Sequence, residues 1–282
     1  MIKTVGVLGA GQMGSGIAQL FAWHGYEVIL CEIAAAQLAK AQATIRENLE
    51  RQAIENRLER EEIGAIVARI RPTDSFAELA AAGLVIEAVP ENEPLKRQIF
   101  RDLDAALPAG AILASNTSSI SITRLAAATG RPERVLGLHF MNPVPAMRLV
   151  EVIRGEATSD ETFAAATAVV ASLGKEMAVS RDYPGFIVNR ILIPMINEAI
   201  FALQEGVATA EAIDKGMKLG TNQPMGPLAL ADLIGLDTVL AIATVLYEGF
   251  RDPKYRPCPL LVRMVDAGHL GRKAGRGFFS YR

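Results

Sequence analysis

Three glycines near the start of the chain set the strongest constraint on how it can fold. The run Gly9-Ala10-Gly11-Gln12-Met13-Gly14 follows the apolar segment of residues 5–8. It opens residues 12–24, where Ile17, Leu20 and Phe21 recur at helical spacing. Residues 26–31 are a second apolar run, and Glu32 stands at its end, eighteen residues past Gly14. Strand, glycine turn, helix, strand and acid, in that order, make a dinucleotide-binding unit. Gly9 permits the tight turn, Gly11 lets the backbone approach a pyrophosphate at the helix N-terminus, and Gly14 lets helix and strand pack closely. Glu32 is placed to accept hydrogen bonds from an adenosine ribose and to repel a 2′-phosphate, which favours NAD over NADP.

The alternation continues downstream. Residues 34–70 read as two long helices, marked by Ile45, Leu49, Ile54, Leu58, Ile63, Ile66 and Ile70 and ended by Pro72. Strands are expected over 84–89, 111–115, 135–140 and 148–153, with helices over 92–106, 121–128 and 160–173. Such a pattern predicts an α/β fold, a mostly parallel Rossmann-type sheet covered on both faces. Beyond about residue 180 nothing reads as a strand. Helices are expected over 186–204, 209–218, 228–248 and 259–267, the first kinked at Pro194. The division is therefore a Rossmann-type domain over 1–183, including the helical pair 34–70, and an all-helical C-terminal domain over 184–282.

Bulk properties exclude several function classes. Lys and Arg number 29 against 31 Asp and Glu, a net charge of −2, so no net field favours nucleic acid or an anionic membrane. Met1-Ile2-Lys3 leads straight into a strand, which leaves no room for a signal peptide. The apolar stretch 191–203 is broken by Asn197 and Glu198 and is too short to span a bilayer. Cys31 and Cys258 form no metal-ligand or disulfide pattern and fit a reducing compartment. A cytoplasmic protein with no metal, no membrane and no nucleic-acid partner is the expectation.

A second signal lies about 130 residues after the glycines. His139 ends the apolar run 135–138, at the edge of an open sheet where ligands bind. An imidazole there can take a proton from an alcohol near neutral pH. The other two histidines suit structural roles, His24 at a helix C-terminus and His269 in a turn beside Gly268. Glu151 lies between Val150 and Val152 and needs a partner, for which an imidazolium is suited, or else faces water from an edge strand. Asn116 and Ser118, in the polar turn after an apolar strand, can bond a substrate oxygen or a ribose, or serve turn and cap chemistry. Asn189, one turn into an apolar helix, needs hydrogen-bond partners as a buried amide.

Seven segments together closely resemble the L-3-hydroxyacyl-CoA dehydrogenase family, in particular its short bacterial 3-hydroxybutyryl-CoA members, over essentially the whole chain. They are the glycine run through Ala18, Ser115-Asn-Thr-Ser-Ser119, His139-Phe-Met-Asn-Pro143, Leu149-Val-Glu-Val-Ile153, Pro184-Gly-Phe-Ile-Val-Asn-Arg190, Pro224-Met-Gly-Pro227 and the glycine-rich segment 271–279. The resemblance implies NAD-dependent interconversion of (S)-3-hydroxyacyl-CoA and 3-ketoacyl-CoA. His139 would be the base, Glu151 its orienting carboxylate, and Ser118 and Asn189 the groups that hold the substrate. Gly9, Gly11, Gln12, Met13, Gly14, Glu32, Ala88, Glu91, Lys96, Asn116, Ser118, Asn142 and Lys273 fall where the family contacts the cofactor. The helical domain would form a homodimer and close over the cleft. A role in fatty-acid or butanoate metabolism is implied too.

One departure concerns the helical pair, which in this family carries the CoA nucleotide, often through lysines. Here residues 48–57 offer Asn48, Arg51 and Arg57, flanked by Arg46 and Arg60. Two other readings stand beside the first. One is a dehydrogenase of similar fold for a free hydroxy acid or sugar acid, and the other a catalytically idle dinucleotide sensor.

Overall fold

The computed structural model describes residues 2–56 and 60–281, and the side chains of all of these except 53–56 and 60. Arg57 and Leu58 therefore lie outside the described residues, as do the side chains of Ile54 and Arg60. The chain divides into two compact units, Met1–Tyr183 and Pro184–Arg282.

The first unit is built on an eight-stranded sheet in the order β3-β2-β1-β4-β5-β6-β7-β8. Its strands are β1 (Thr4–Leu8), β2 (Glu27–Cys31), β3 (Ile70–Thr73), β4 (Leu84–Glu87), β5 (Ile112–Ser115), β6 (Val135–Phe140), β7 (Leu149–Arg154) and β8 (Glu176–Arg181). The ladders from β3 through β6 are all parallel, β7 runs antiparallel to β6, and β8 is parallel to β7. The order 3-2-1-4-5-6 is the doubly wound one, with its switch point between β1 and β4. Helices α1 (Gln12–Trp23), α2 (Ala35–Asn56), α3 (Arg60–Ala68), α4 (Glu93–Ala106), α5 (Ile122–Ala126) and α6 (Asp160–Ser172) accompany it. Strand β1 is fully buried beyond Thr4, as suits a central parallel strand covered on both faces. Val5, Val7, Ile17, Phe21, Leu30, Ile45, Leu49, Ile86 and Leu138 belong to the core.

Local chemistry starts the helices where the sequence suggests. Asn92 accepts from the Leu95 amide at 2.9 Å, and Ser159 from Thr162 at 3.1 Å, each capping a helix. His24 does lie at the C-terminus of α1, its Nδ1 2.9 Å from the Leu20 carbonyl. The partly buried Asp182 carboxylate accepts from the Ser121 hydroxyl and the Ile122 and Thr123 amides, within 3.0 Å, and so ties the chain after β8 to α5.

Three expectations are corrected. Ile70 does not end a helix: Ile70–Thr73 is the edge strand β3, paired with β2. Pro72 is tolerated because an edge strand need not donate on its outer side. Residues 176–181 form β8, whose half-polar pattern reflects an exposed edge. The helix expected over 228–248 is two, α9 (Pro227–Ile234) and α10 (Leu236–Phe250), bent by 100° where Gly235 takes φ +100°.

The second unit packs α7 (Val188–Gln204), α8 (Ala210–Gly220), α9, α10 and α11 (Pro259–Asp266) around Ile193, Ile196, Ile200, Leu228, Val239, Leu246 and Leu261. Helix α7 runs through Pro194. Among the described residues no single helix is long and apolar enough to cross a membrane. The C-terminal segment is held by Asp232, 1% exposed, whose carboxylate accepts from the Phe278 and Phe279 amides and the Tyr281 hydroxyl at 2.9–3.0 Å. Burial, and then the Asp232 charge, push the Tyr281 phenol up to about 12.

Replacing Asp232 by Asn keeps the shape but turns an N–H toward these donors. Asp232→Asn is expected to lower stability by about 2 kcal/mol and to speed amide exchange at Phe278 and Phe279. Denaturant unfolding and hydrogen exchange check this, and wild-type protection at both amides would show the carboxylate is not the anchor.

Candidate active site

The carboxyl ends of the parallel strands meet at one edge of the sheet, and the candidate residues of the first unit gather there. Beyond β1 comes the glycine turn. Gly9 has φ +99°, and a Cβ on it would lie 2.7 Å from the Ala88 carbonyl oxygen, which brings Ala88 against the turn. A Cβ on Gly14 would stand 1.8 Å from the Gly9 carbonyl oxygen. By contrast, a Cβ on Gly11 would meet no protein atom within 4 Å. Gly11 is the N-cap of α1 and no side chain caps the helix. Room at Gly11 and a helix N-terminus without a side-chain acceptor fit an anionic pyrophosphate.

Glu32, just beyond β2, accepts from the Ala10 amide at 3.0 Å and from the Ala34 amide at 3.1 Å. Its carboxylate is thereby fixed beside the glycine turn. Glu91 and Asn116 follow β4 and β5. Asn116 Oδ1 accepts from the Phe140 amide at 2.9 Å, which joins the ends of β5 and β6. Glu91 Oε1 accepts from the Thr117 hydroxyl at 2.6 Å, the Ser119 hydroxyl at 3.0 Å and the Ser118 amide at 3.1 Å. Burial would raise the Glu91 carboxyl, but Lys96 and these hydrogen bonds outweigh it and hold it below its usual range.

His139 and Glu151 are direct partners across the antiparallel β6–β7 ladder. Opposed residues project from the same face. His139 Nδ1 lies 2.7 Å from Glu151 Oε2, with His139 8% and Glu151 0% exposed. A carboxylate only accepts, so Nδ1 carries the proton of the neutral ring and Nε2 is the basic nitrogen. Glu151 therefore does not face water. The connection between the strands is braced by Lys175, whose ammonium donates to the Val144, Pro145 and Met147 carbonyls at 2.7–3.3 Å.

Gly11, Gln12, Lys40, Thr44, Asn48 and Asn142 line one cleft of about 390 Å³. Arg51 donates to Asn48 Oδ1 from the same helix. Lys40 is a basic group that the sequence reading passed over, although Lys40, Thr44 and Asn48 share a helical face by spacing. Lys96, expected at the cofactor, is 1% exposed and pairs with Glu87 at 2.6 Å. Glu87 was missed as well, yet an acid ending the apolar run 84–86 demands a partner just as Glu151 does. Met13 is half-buried in the first turn of α1. In the second unit, Asn189 is buried in the first turn of α7, and Lys273 pairs with Asp237 at 2.6 Å. Among the described residues no three His, Cys, Asp or Glu side chains could hold a metal ion.

Because Ala at position 14 must displace the turn, Gly14→Ala is expected to weaken NADH binding by about tenfold or more, read by NADH fluorescence titration. Unchanged affinity would remove the turn from the cofactor site.

Comparisons with known proteins agree with this geometry. Residues 4–183 match the NAD binding domain of 3-hydroxyacyl-CoA dehydrogenase, and residues 185–281 match its C-terminal domain. A 3-hydroxybutyryl-CoA dehydrogenase from Bradyrhizobium diazoefficiens is 58% identical, covering 100% of this chain and 96% of its own. A probable 3-hydroxybutyryl-CoA dehydrogenase from Bacillus subtilis is 51% identical over 99% and 98% of the two chains. The crystal structure of the (S)-3-hydroxybutyryl-CoA dehydrogenase PaaH1 from Ralstonia eutropha superposes with a TM-score of 0.97 at 52% identity, covering 100% of both chains. Matched along both of its units, the chain belongs to the 3-hydroxyacyl-CoA dehydrogenase family, a family of NAD-binding oxidoreductases.

Proposed function

We propose that the chain interconverts (S)-3-hydroxyacyl-CoA and 3-ketoacyl-CoA, with 3-hydroxybutyryl-CoA and acetoacetyl-CoA as the substrate pair. The observation that carries the reading is the buried His139–Glu151 pair, 2.7 Å apart, on a sheet edge that also holds the glycine turn. Bound NAD supplies the hydride acceptor for a secondary alcohol carbon. His139 Nε2 takes the hydroxyl proton, and Glu151 holds the ring's tautomer and stabilises the imidazolium that results. In the reducing direction the same nitrogen returns the proton to the carbonyl oxygen. Ser118 orients the substrate oxygen, and Asn189 contributes from the helical unit. Gln12, Met13, Gly14 and Ala88 frame the cofactor, with Glu91, Asn116, Asn142 and Lys273 as further contacts and Lys96 acting through Glu91. Lys40 joins Asn48 and Arg51 as a group for the CoA phosphates.

The helical unit is proposed to carry the substrate cleft and a homodimer interface. Ile191, Leu219 and Leu233, each at least half exposed, support such an interface. A cytoplasmic setting suits the two buried thiols, Cys31 and Cys258. Fatty-acid or butanoate metabolism is the corresponding pathway class.

The test is NADH oxidation with acetoacetyl-CoA, run beside free acetoacetate. Turnover with the thioester alone is expected, and comparable kcat/KM with the free acid would overturn the CoA assignment. His139→Ala is expected to lower kcat by about 10²–10⁴-fold with the fold intact by circular dichroism. Near-normal turnover in that variant would end its role as base. Glu32 predicts a kcat/KM for NADH at least about tenfold above that for NADPH, and equal values would contradict it.

A further inference from the structure

Beneath the 116–119 turn runs a circuit of charges that the proton transfer at His139 does not use. Glu87, the last residue of β4, is 0% exposed, and Lys96, in the first turn of α4, is 1% exposed. Glu87 Oε1 accepts from Lys96 Nζ at 2.6 Å and from the Val89 amide at 2.7 Å, while Oε2 accepts from the Ser115 hydroxyl at 2.6 Å. Lys96 Nζ also donates to the Val89 carbonyl at 3.1 Å and stands 3.4 Å from Glu91 Oε2.

The two carboxylates fix the direction of every hydroxyl between them, because a hydroxyl has one proton to donate. Ser115 donates to Glu87, so its oxygen accepts from the Thr117 amide at 3.2 Å. Thr117 donates to Glu91, so its oxygen accepts from the Ser119 amide at 3.2 Å and the Ile120 amide at 2.9 Å. The backbone of the turn thus follows from where the two negative charges sit. A buried ion pair is a poor device for stability, since apolar residues of similar volume usually serve as well or better. This pair does join the turn that carries Glu91 to the turn that carries Ser118.

We infer that Glu87 is a positioning residue for the reaction: acting through Lys96 and Ser115, it sets Glu91 and the Asn116–Ser119 turn bonded to it at the cofactor site. The kinetic part of this inference rests on the function proposed above, and the binding part requires only the NAD-binding domain. Glu87→Gln preserves size, and its carbonyl oxygen can still accept from Lys96 and Val89. Its NH2 group, however, faces the Ser115 oxygen, so the Ser115 proton loses its acceptor. Lys96 then keeps Glu91 as its carboxylate partner and draws it away from Thr117 and Ser119.

Three variants separate positioning from mere support. E87Q is expected to weaken NADH binding, by fluorescence titration, and to lower kcat with acetoacetyl-CoA, each by about tenfold. Ser115→Ala leaves the ion pair and loosens only the 116–119 turn. It is expected to lower kcat by about fivefold and to weaken NADH binding by less than E87Q does, since the Glu87–Lys96–Glu91 contacts remain. The double variant E87Q/K96M removes both charges, frees Glu91 from the pull of Lys96, and is expected to recover at least about threefold of the lost NADH affinity. A structural role would shift melting temperatures and leave these constants alone. Folded E87Q with wild-type NADH affinity and wild-type kcat overturns the inference. Should E87Q fail to fold, wild-type kcat in S115A overturns it equally. If wild-type protein does not turn over acetoacetyl-CoA, the proposed function fails, and the NADH titrations still decide the positioning role.

Discussion

The parallel pairing of β1 with both β2 and β4 is the constraint on which the rest of the first unit depends. The chain leaves β1 in one direction along the sheet and returns to its other side at β4. Every parallel strand therefore ends at the same edge, and each following turn emerges there. That single fact collects the glycine turn, Glu32, Glu91, Asn116 and His139 from five separate stretches of sequence. The antiparallel return of β7 adds Glu151 at the same edge, since its early residues oppose the late residues of β6.

Buried charge is handled in two ways at that edge. Glu151 and His139 form a short pair whose polarity suits proton transfer: one partner accepts only, and the other has in Nε2 a second nitrogen able to exchange a proton. Glu87 and Lys96 form a second pair, deeper and aimed at backbone and hydroxyl groups rather than at a reactant. Both carboxylates end or interrupt apolar strands, where an unsatisfied charge would be costly. In each case the partner comes from a different element, so burial couples two parts of the chain. The same logic holds in the second unit, where Asp232 gathers three donors and fixes the C-terminal segment that carries Lys273.

Much of this was legible in the sequence where a local rule governs. The glycine spacing identifies the turn, Glu32 follows at the end of the next strand, and the helices expected over 92–106 and 160–173 begin beside Asn92 and Ser159, whose side chains cap them. Illegible were elements whose pattern is weak. Strand β3 is four residues with a proline, and β8 is an exposed edge with mixed polarity, so neither shows the apolar run of a buried strand. The break at Gly235 hides within an apolar stretch because one glycine can sit inside a helix as readily as end it.

What the sequence alone determined is the order of elements, the nucleotide-binding start and the identity of the groups able to do chemistry. These rest on periodicity, turn residues and charge, all properties of neighbours along the chain. Only the tertiary structure decided that His139 and Glu151 stand opposite each other, that Lys96 turns inward to Glu87, and that Lys40 shares a cleft with Asn48 and Asn142. Strand register and desolvation set those contacts, and both depend on residues far apart in sequence that meet only when the sheet is assembled.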